Sequence, residues 1–504
     1  MKTTPAFLLT ILAIFISVNS LSADFETPPL RVCLVSGSAE YNSDASLTAF
    51  KAHLESSYNI ECTLLKAIGF EQLPGLEALE DCDVALFFTR RLLIDGAELE
   101  MVKNYCKSGN AIVAVRTASH GFQNWLEFDK LILGGNYHNH FGNGPTMEAK
   151  IVKQKNNHPI LDGIGTLYSR SSLYKTAPIA DDVNLLMSAS IPTQKDPQPA
   201  AWTRNLNGGR VFYTQLGSVQ DFENASFKRM LANALFWTSH REVERCELEA
   251  PDRRTRPKGM LKLNLRSREE SPTEKDQWQE INFEQETPVA KTAIIICDMW
   301  DEHWCSGATE RCGAIAQKMN HVVKSARDRG IQIIHAPSDT LSFYLDWPQR
   351  RRMQMARVVP LPEALNLATH PLPIDDSDGG CDTEETPWYH AWTRQSKHID
   401  IGKYDGISDN GREVYNFIEQ EGIDTLFIMG VHTNMCILGR SFAIRQMTRW
   451  GKKCILVRDL TDAMYDPKDD PQVSHDAGTQ LVIEHIEKYW CPTITSEDLV
   501  KSLQ

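Results

Sequence analysis

Two kinds of pattern alternate along most of this chain. Short, unbroken apolar runs of strand length recur, and longer stretches with apolar positions at helical spacing stand between them. In the first half the apolar runs are RVCLVSG (31–37), CTLLKA, DVALFFT and AIVAVR (111–116). Helices are expected over 46–58 and in GAELEMVKNYCKSG, which Gly109 stops. A late strand, RVFYTQLG (210–217), and a helix, FKRMLANALFWTSH, close this half. The second half repeats the order. KTAIIIC opens it, a helix ends at Gly330, and IQIIHAPSD is the next strand and its exit. After a long irregular stretch (343–399) come a helix through REVYNFIEQEG, a buried run at 423–429, CILVRDL, and a late helix in GTQLVIEHIEKYW. Strands without polar alternation are strands covered on both faces. The pattern therefore predicts an α/β protein with two doubly wound domains, each with a mainly parallel sheet covered by helices on both faces.

Between the halves, residues 246–290 lose the pattern. DRRTRPKG, LRSREESPTEKD and EQETP are charged and proline-rich, so a linker is expected, with MLKLNL (260–265) as an edge strand at most. The expected division is 1–23 signal peptide, 24–245 first domain, 246–290 charged linker and 291–504 second domain.

Composition narrows the partners. A net charge of -13 with no basic stripe argues against nucleic acid and against an anionic membrane surface. Lys2, the apolar run from Phe7 to Val18 and Leu21-Ser22-Ala23 have the layout of an export signal, which predicts a periplasmic or secreted protein with no membrane attachment after cleavage. Twelve cysteines in 504 residues are too sparse for a stapled scaffold. Cys33, Cys297 and Cys454 fall inside strand-like runs and read as core thiols.

Candidate chemistry gathers in GVHTNMCILGR (430–440). Cys436 sits where a buried strand hands over to an expected helix, CILGRSFAIRQMTRWG. Unpaired N–H groups at a helix start stabilise a thiolate, so a nucleophile active near neutral pH is expected there. Ligands of doubly wound sheets bind beyond the carboxyl ends of the strands. Asp298 also follows a strand directly, and Lys403 precedes the helix that leads into the Cys436 strand. All three are expected on one rim: Asp298 as acid–base group, Lys403 as the charge that holds the thiolate, Cys436 as nucleophile. Trp300, His303, Val431 and His432 are the expected substrate-binding residues. In the first half, Ser119 beside His120 lacks a G-x-S-x-G setting and is a weak nucleophile candidate.

Two resemblances follow from these stretches. GGNYHNHFGNG, NHPILDGI and YTQLGSVQDFENASFKRMLANALFW resemble the ThuA-like family, a branch of the class I glutamine amidotransferase-like fold. That implies a ligand-binding domain, with carbohydrate as the suggested class. The amidotransferase cysteine is missing from the corresponding turn, RTASHG (116–121). IIICDMWD, KYDGIS and GVHTNMC resemble the isochorismatase-like cysteine hydrolases. That implies Asp298, Lys403 and Cys436 as the catalytic set and a cis peptide at Val431–His432. The Asp-x-His metal pair of nicotinamidases is not reproduced in HAPSD (335–339), so no metal and no cofactor is expected.

The expected function is hydrolysis of a small amide-type C–N bond through a cysteine thioester, with a small-molecule substrate and room for a homo-oligomer. The alternatives are a non-catalytic binding or scaffold protein built on both folds, and a sugar-active enzyme centred on the first half.

Overall fold

A computed structural model describes residues 27–142, 145–155, 157–246, 252–274, 277–383 and 390–504; the expected export signal lies outside the described residues. The first domain is built on a nine-stranded sheet. Five strands run parallel in the order Ile60–Lys66, Leu30–Gly37, Val84–Thr89, Ala111–Val115 and Gly209–Thr214. Leu34, Leu86 and Val113 point to one face, against Leu47 and Phe50 of the helix Ser43–Ser57 and Met230 and Leu231 of the helix Ala225–Thr238. Cys33, Phe87 and Ile112 point to the other, against Leu99 and Val102 of the helix Gly96–Lys107. Both faces are dry over the inner strands, so apolar residues run unbroken along Val84–Thr89 and Ala111–Val115, while the edge strand Ile60–Lys66 alternates. The sheet then continues through Gln194–Leu206, Asn184–Ile191, Met147–Ile151 and Leu167–Ser169, all antiparallel. This extension was not expected. Its strands are polar and apolar by turns, and register shifts interrupt the pairing of the first two.

The second domain has an eight-stranded sheet. From one edge its order is Trp278–Pro288, Met260–Glu270, Thr493–Ile494, Lys453–Asp462, Thr425–Val431, Thr292–Cys297, Gln332–Ala336 and Gly406–Ile407. The last six are mutually parallel. The first two strands correct the expected linker. The strands Met260–Glu270 and Trp278–Pro288 pair antiparallel along their length, Arg266 pairs with Thr493, and both belong to this sheet. Leu261, Leu263 and Leu265 are buried on one face in the same core as Met319, Val323 and Leu499. Two of the arginines that gave the stretch a linker's appearance are paired. Buried Glu487 accepts from Arg266 Nε at 2.7 Å and from Arg268 Nε at 3.2 Å.

A second correction concerns the segment after Cys436. The expected single helix is two short ones, Cys436–Gly439 and Ile444–Arg449. Arg440 between them is extended (φ −64°, ψ 152°). Ser441 is held by the start of the earlier helix Gly411–Glu421, its Oγ accepting from Gly411 N at 3.0 Å. Among the described residues no helix is long and apolar enough to cross a membrane, and all twelve cysteines are free thiols.

Candidate active site

The site lies where the strands Thr292–Cys297 and Thr425–Val431, adjacent and parallel, end on the same rim. Gly430 makes that adjacency possible. Its φ is +126°, and a Cβ there would stand 1.9 Å from the Cys297 carbonyl oxygen. One residue on, the Val431–His432 peptide is cis, as the resemblance implied.

Asp298 is fully buried with φ +48°, a left-handed conformation that costs about 1 kcal/mol or more in a non-glycine residue and aims its side chain across the rim. Its carboxylate is held at both oxygens. Oδ1 accepts from Ser338 N at 2.8 Å and Oδ2 accepts from Arg440 Nε at 2.8 Å. The Cys436 thiol lies near enough to it for each group to shift the other's proton affinity. Burial pushes Asp298 above the usual carboxylate range, against the pull of Arg440 and of the Ser338 N–H. Burial likewise pushes the partly buried Cys436 thiol up, the neighbouring Asp298 charge pushes it further, and Arg440 pulls it back. At rest the sulfur is therefore a protonated thiol beside the Asp298 carboxyl group. This corrects the expected thiolate: the helix after Cys436 has four residues, too few for a useful dipole, and the nearest charge is negative.

Asp298 and Cys436 are brought together as expected; Lys403 is not. Its side chain is 67% exposed and pairs with Asp252 at 2.8 Å, on a different part of the surface. Arg440 occupies the cationic position instead, 33% exposed and held further above its ordinary value by Asp298 and Cys436. The sequence signal was present, because Arg440 closes the GVHTNMCILGR stretch four residues after the nucleophile. A continuous helix there would have carried it away from Asp298.

The four expected binding residues divide. Trp300 lies over the rim, donating Nε1–H to the Ser338 carbonyl at 3.0 Å and stacking on Trp392 at 4.2 Å. His303 stacks against the same Trp392 at 5.5 Å and meets His432 edge-on at 5.0 Å. His303 Nδ1 accepts from Cys305 N, and burial pushes its ring down to about 2, so it is neutral. His432 is buried, pushed down to about 4 by that burial, and its Nε2 has no partner among the described residues. Val431 is a correction. Its side chain packs in the core with Phe427 and Met429, so only its backbone borders the site.

The remaining histidines do not gather into a metal site. His335 is locked between Gln395 Oε1 at 2.8 Å and Asp405 Oδ2 at 2.9 Å. His390 stacks on Tyr168 of the first domain. Cys305, Cys381 and Asp382 bring one ligand atom each within 4.8 Å of one another, but both oxygens of Asp382 are taken by Arg311, at 2.7 and 3.2 Å. A guanidinium in that position repels a cation.

In the first domain, Ser119 Oγ lies 3.2 Å from His120 Nδ1. Burial and the nearby Arg91 and Arg90 push His120 down to about 3, which makes it too weak a base to activate a hydroxyl.

Comparison with known proteins gives a separate match for each half. The family model described as trehalose utilisation, ThuA, matches residues 31–238, and the isochorismatase domain model matches residues 292–498. No curated protein matches the chain. Similar solved structures include a ThuA-like protein from Parabacteroides merdae, 14% identical over 44% of this chain and 94% of that one, with a TM-score of 0.34. Others are a cysteine hydrolase from Pseudomonas syringae pv. phaseolicola (15% identity, 43% of this chain, 93% of that one, TM-score 0.28) and an isochorismatase from Pseudomonas putida (12%, 42%, 90%, 0.26). The chain thus joins a ThuA domain, residues 31–238, to an isochorismatase domain, residues 292–498.

Proposed function

We propose that the second domain hydrolyses a small amide-type C–N bond, with Cys436 as nucleophile, Asp298 as proton carrier and Arg440 as the fixed positive charge. The observation that carries this reading is the Asp298 carboxylate, buried, bonded to the Arg440 guanidinium, and on the same rim as Cys436. In the proposed sequence the thiol proton passes to Asp298 as the sulfur attacks the substrate carbonyl. Asp298, made more basic than an ordinary carboxylate by burial, is suited to take it. It then returns the proton to the departing ammonia or amine, leaving a thioester on Cys436. Water, deprotonated by Asp298, releases the acid and restores the thiol. Arg440 does not give up its proton near neutral pH, so it holds Asp298 in register through both half-reactions. The backbone N–H of Cys436, which has no carbonyl partner among the described residues, is placed to hold the oxyanion. Neutral His303 and His432 and the Trp300–Trp392 stack suit a small, uncharged, partly flat substrate.

For the first domain we keep a ligand-binding role. Fully buried Arg116 lies over Tyr174 at 3.9 Å and Tyr41 at 5.1 Å, and its guanidinium donates to Gln215 O, Ser172 O, Ser172 Oγ and Tyr41 Oη.

The test is a panel of small amides and ureides assayed for ammonia release, with intact-mass detection of an acylated chain. Turnover that disappears in Cys436→Ala, with the acyl adduct mapping to Cys436, is the expected result. Turnover that survives Cys436→Ala, or no turnover across the panel, sinks the proposal.

A further inference from the structure

The roof of the cysteine site is the segment 390–395, which has no helix or extended strand of its own. Trp392 carries the contact to the site by stacking on Trp300, 11° from parallel. Within the second domain the segment is held by Asp301, which accepts from Thr393 N at 2.9 Å, from Thr393 Oγ1 at 2.6 Å and from Arg394 N at 3.3 Å, and at Gln395, whose N–H donates to Tyr344 Oη at 2.9 Å and whose Oε1 lies 2.8 Å from His335 Nδ1. Further anchors come from the ThuA domain. Thr146 Oγ1 donates to the Ala391 carbonyl at 2.7 Å in a buried contact. The Tyr168 ring lies on His390 with centroids 3.5 Å apart and planes 6° from parallel. Arg170 bridges Asp301 at 3.1 Å and Glu302 at 2.7 Å, gripping the acid that anchors the roof. Glu223 pairs with Arg394. Four first-domain side chains, from three separate places in its sequence, thus converge on one irregular stretch and its anchor.

We propose that the ThuA domain completes the hydrolase site: Thr146, Tyr168, Arg170 and Glu223 are positioning residues that hold the 390–395 roof down on Trp300 and so restrict what reaches Cys436. Ordering an irregular segment costs about 1–2 kcal/mol per residue in backbone entropy, so such a roof stays down only while its side-chain anchors outweigh that cost. The second domain holds the segment at Thr393, Arg394 and Gln395; the first adds a hydrogen bond at Ala391, a stacked ring at His390 and three ion pairs on Arg394, Asp301 and Glu302. This gives the fusion of the two domains a physical purpose at the site. The proposal rests on Cys436 being the reacting group only for its catalytic consequence; the clamp itself is a matter of geometry.

Hydrogen exchange on the full chain tests it. In Tyr168→Ala and in Arg170→Gln the amides of Thr393 to Ser396 are expected to exchange about tenfold faster, as for a segment whose local opening has become easier, while those of Thr425–Val431 keep their rates and show the fold intact. Tyr168→Phe, which keeps the stacked ring, is expected to exchange as the parent does. With a turned-over amide, the two disruptive variants are expected to raise KM more than they lower kcat. Unchanged roof exchange in both variants overturns the clamp, as does loss specific to the missing phenol in Tyr168→Phe. The exchange measurement needs no substrate. A chain that turns over no amide but shows the faster roof loses the hydrolase reading and keeps the clamp; one that turns over amide with an unaltered roof does the reverse.

Discussion

At the scale of single residues, the site turns on which charge faces the sulfur. The Asp298 carboxylate raises the Cys436 thiol and Arg440 lowers it. Replacing Asp298 by Asn removes the anion and leaves the guanidinium, so the thiol must become more acidic. Asp298→Asn is therefore expected to be alkylated by iodoacetamide faster near pH 7 than the parent, while amide turnover falls by about a hundredfold or more for want of the proton carrier. The pH dependence of alkylation checks the sign: the parent midpoint should lie above that of an ordinary thiol, and the variant midpoint below the parent's. A second comparison separates the two cations. Arg440→Ala is expected to lower kcat/KM by about a hundredfold, as for loss of a buried charge next to the reacting groups, with Arg440→Lys between it and the parent. Lys403→Ala should stay within about twofold, because an ion pair as exposed as Lys403–Asp252 contributes little. Equal losses at both positions would restore Lys403 to the site. Asp298 and Cys436 were legible in the sequence for one reason: Asp298 follows directly on a fully buried strand and Cys436 follows another after one short turn, and parallel strands that neighbour each other end on one rim. Arg440 was not, because its place depends on the backbone turning out of helix at Gly439, and local sequence gave that turn no proline and no cap to mark it.

Elements matter here through where they end. Gly430 lets the Cys436 strand pass the Cys297 carbonyl, so Gly430→Ala meets both a positive φ and a backbone oxygen that cannot move aside. It is expected to cost about 3 kcal/mol or more in a chemical-denaturation midpoint, and to disturb the site even where the fold survives. The opposite edge of the sheet depends on a buried charge. Asp405 accepts from Arg327 at 2.6 Å, His335 at 2.9 Å and Gly402 N at 2.6 Å, which tie the short strand Gly406–Ile407 to Gln332–Ala336. Although burial raises it, His335 and Arg327 bring Asp405 well below the usual carboxylate range. A carboxyl that is depressed in the folded state contributes fully above its unfolded value of about 4, and the contribution is lost as pH falls through the lower folded value. Stability should therefore decline below about pH 4, and the decline should be shallower in Asp405→Asn, whose stability at pH 7 is expected to be about 3 kcal/mol lower because Arg327 loses its partner. Denaturation midpoints at pH 7, 5 and 3.5 for both chains decide this. The parallel strands of both sheets could be read from their unbroken apolar runs. The antiparallel extension of the first sheet could not, since NLLMSASI and its neighbours mix polar and apolar residues without a period that distinguishes strand from loop.

At the scale of the whole molecule, the question is where the second domain begins. Charge and proline between 246 and 290 suggested a linker, yet Arg266 and Arg268 converge on buried Glu487, and the leucines between the charges at 261, 263 and 265 enter the core. Composition averages over both faces of a strand and therefore hides a strand pair whose outer face is charged. The two descriptions differ in a measurable way. If residues 260–288 were only a tether, Leu263→Ala would leave both domains as stable as before. As a strand whose Leu263 is fully buried beneath the helices of the second domain, it should lose about 3 kcal/mol on that substitution. A loss of that size lowers the melting temperature of a domain of this length by about 8 °C. The loss should fall on the transition that also exposes Cys436 to alkylation and leave the transition of the ThuA domain in place. Lys262→Ala, on the exposed face of the same strand, is the matched control and should shift neither transition. An equal effect at 262 and 263 would mean that the strand pair does not present one face to the core, and the boundary of the hydrolase domain would return to residue 290.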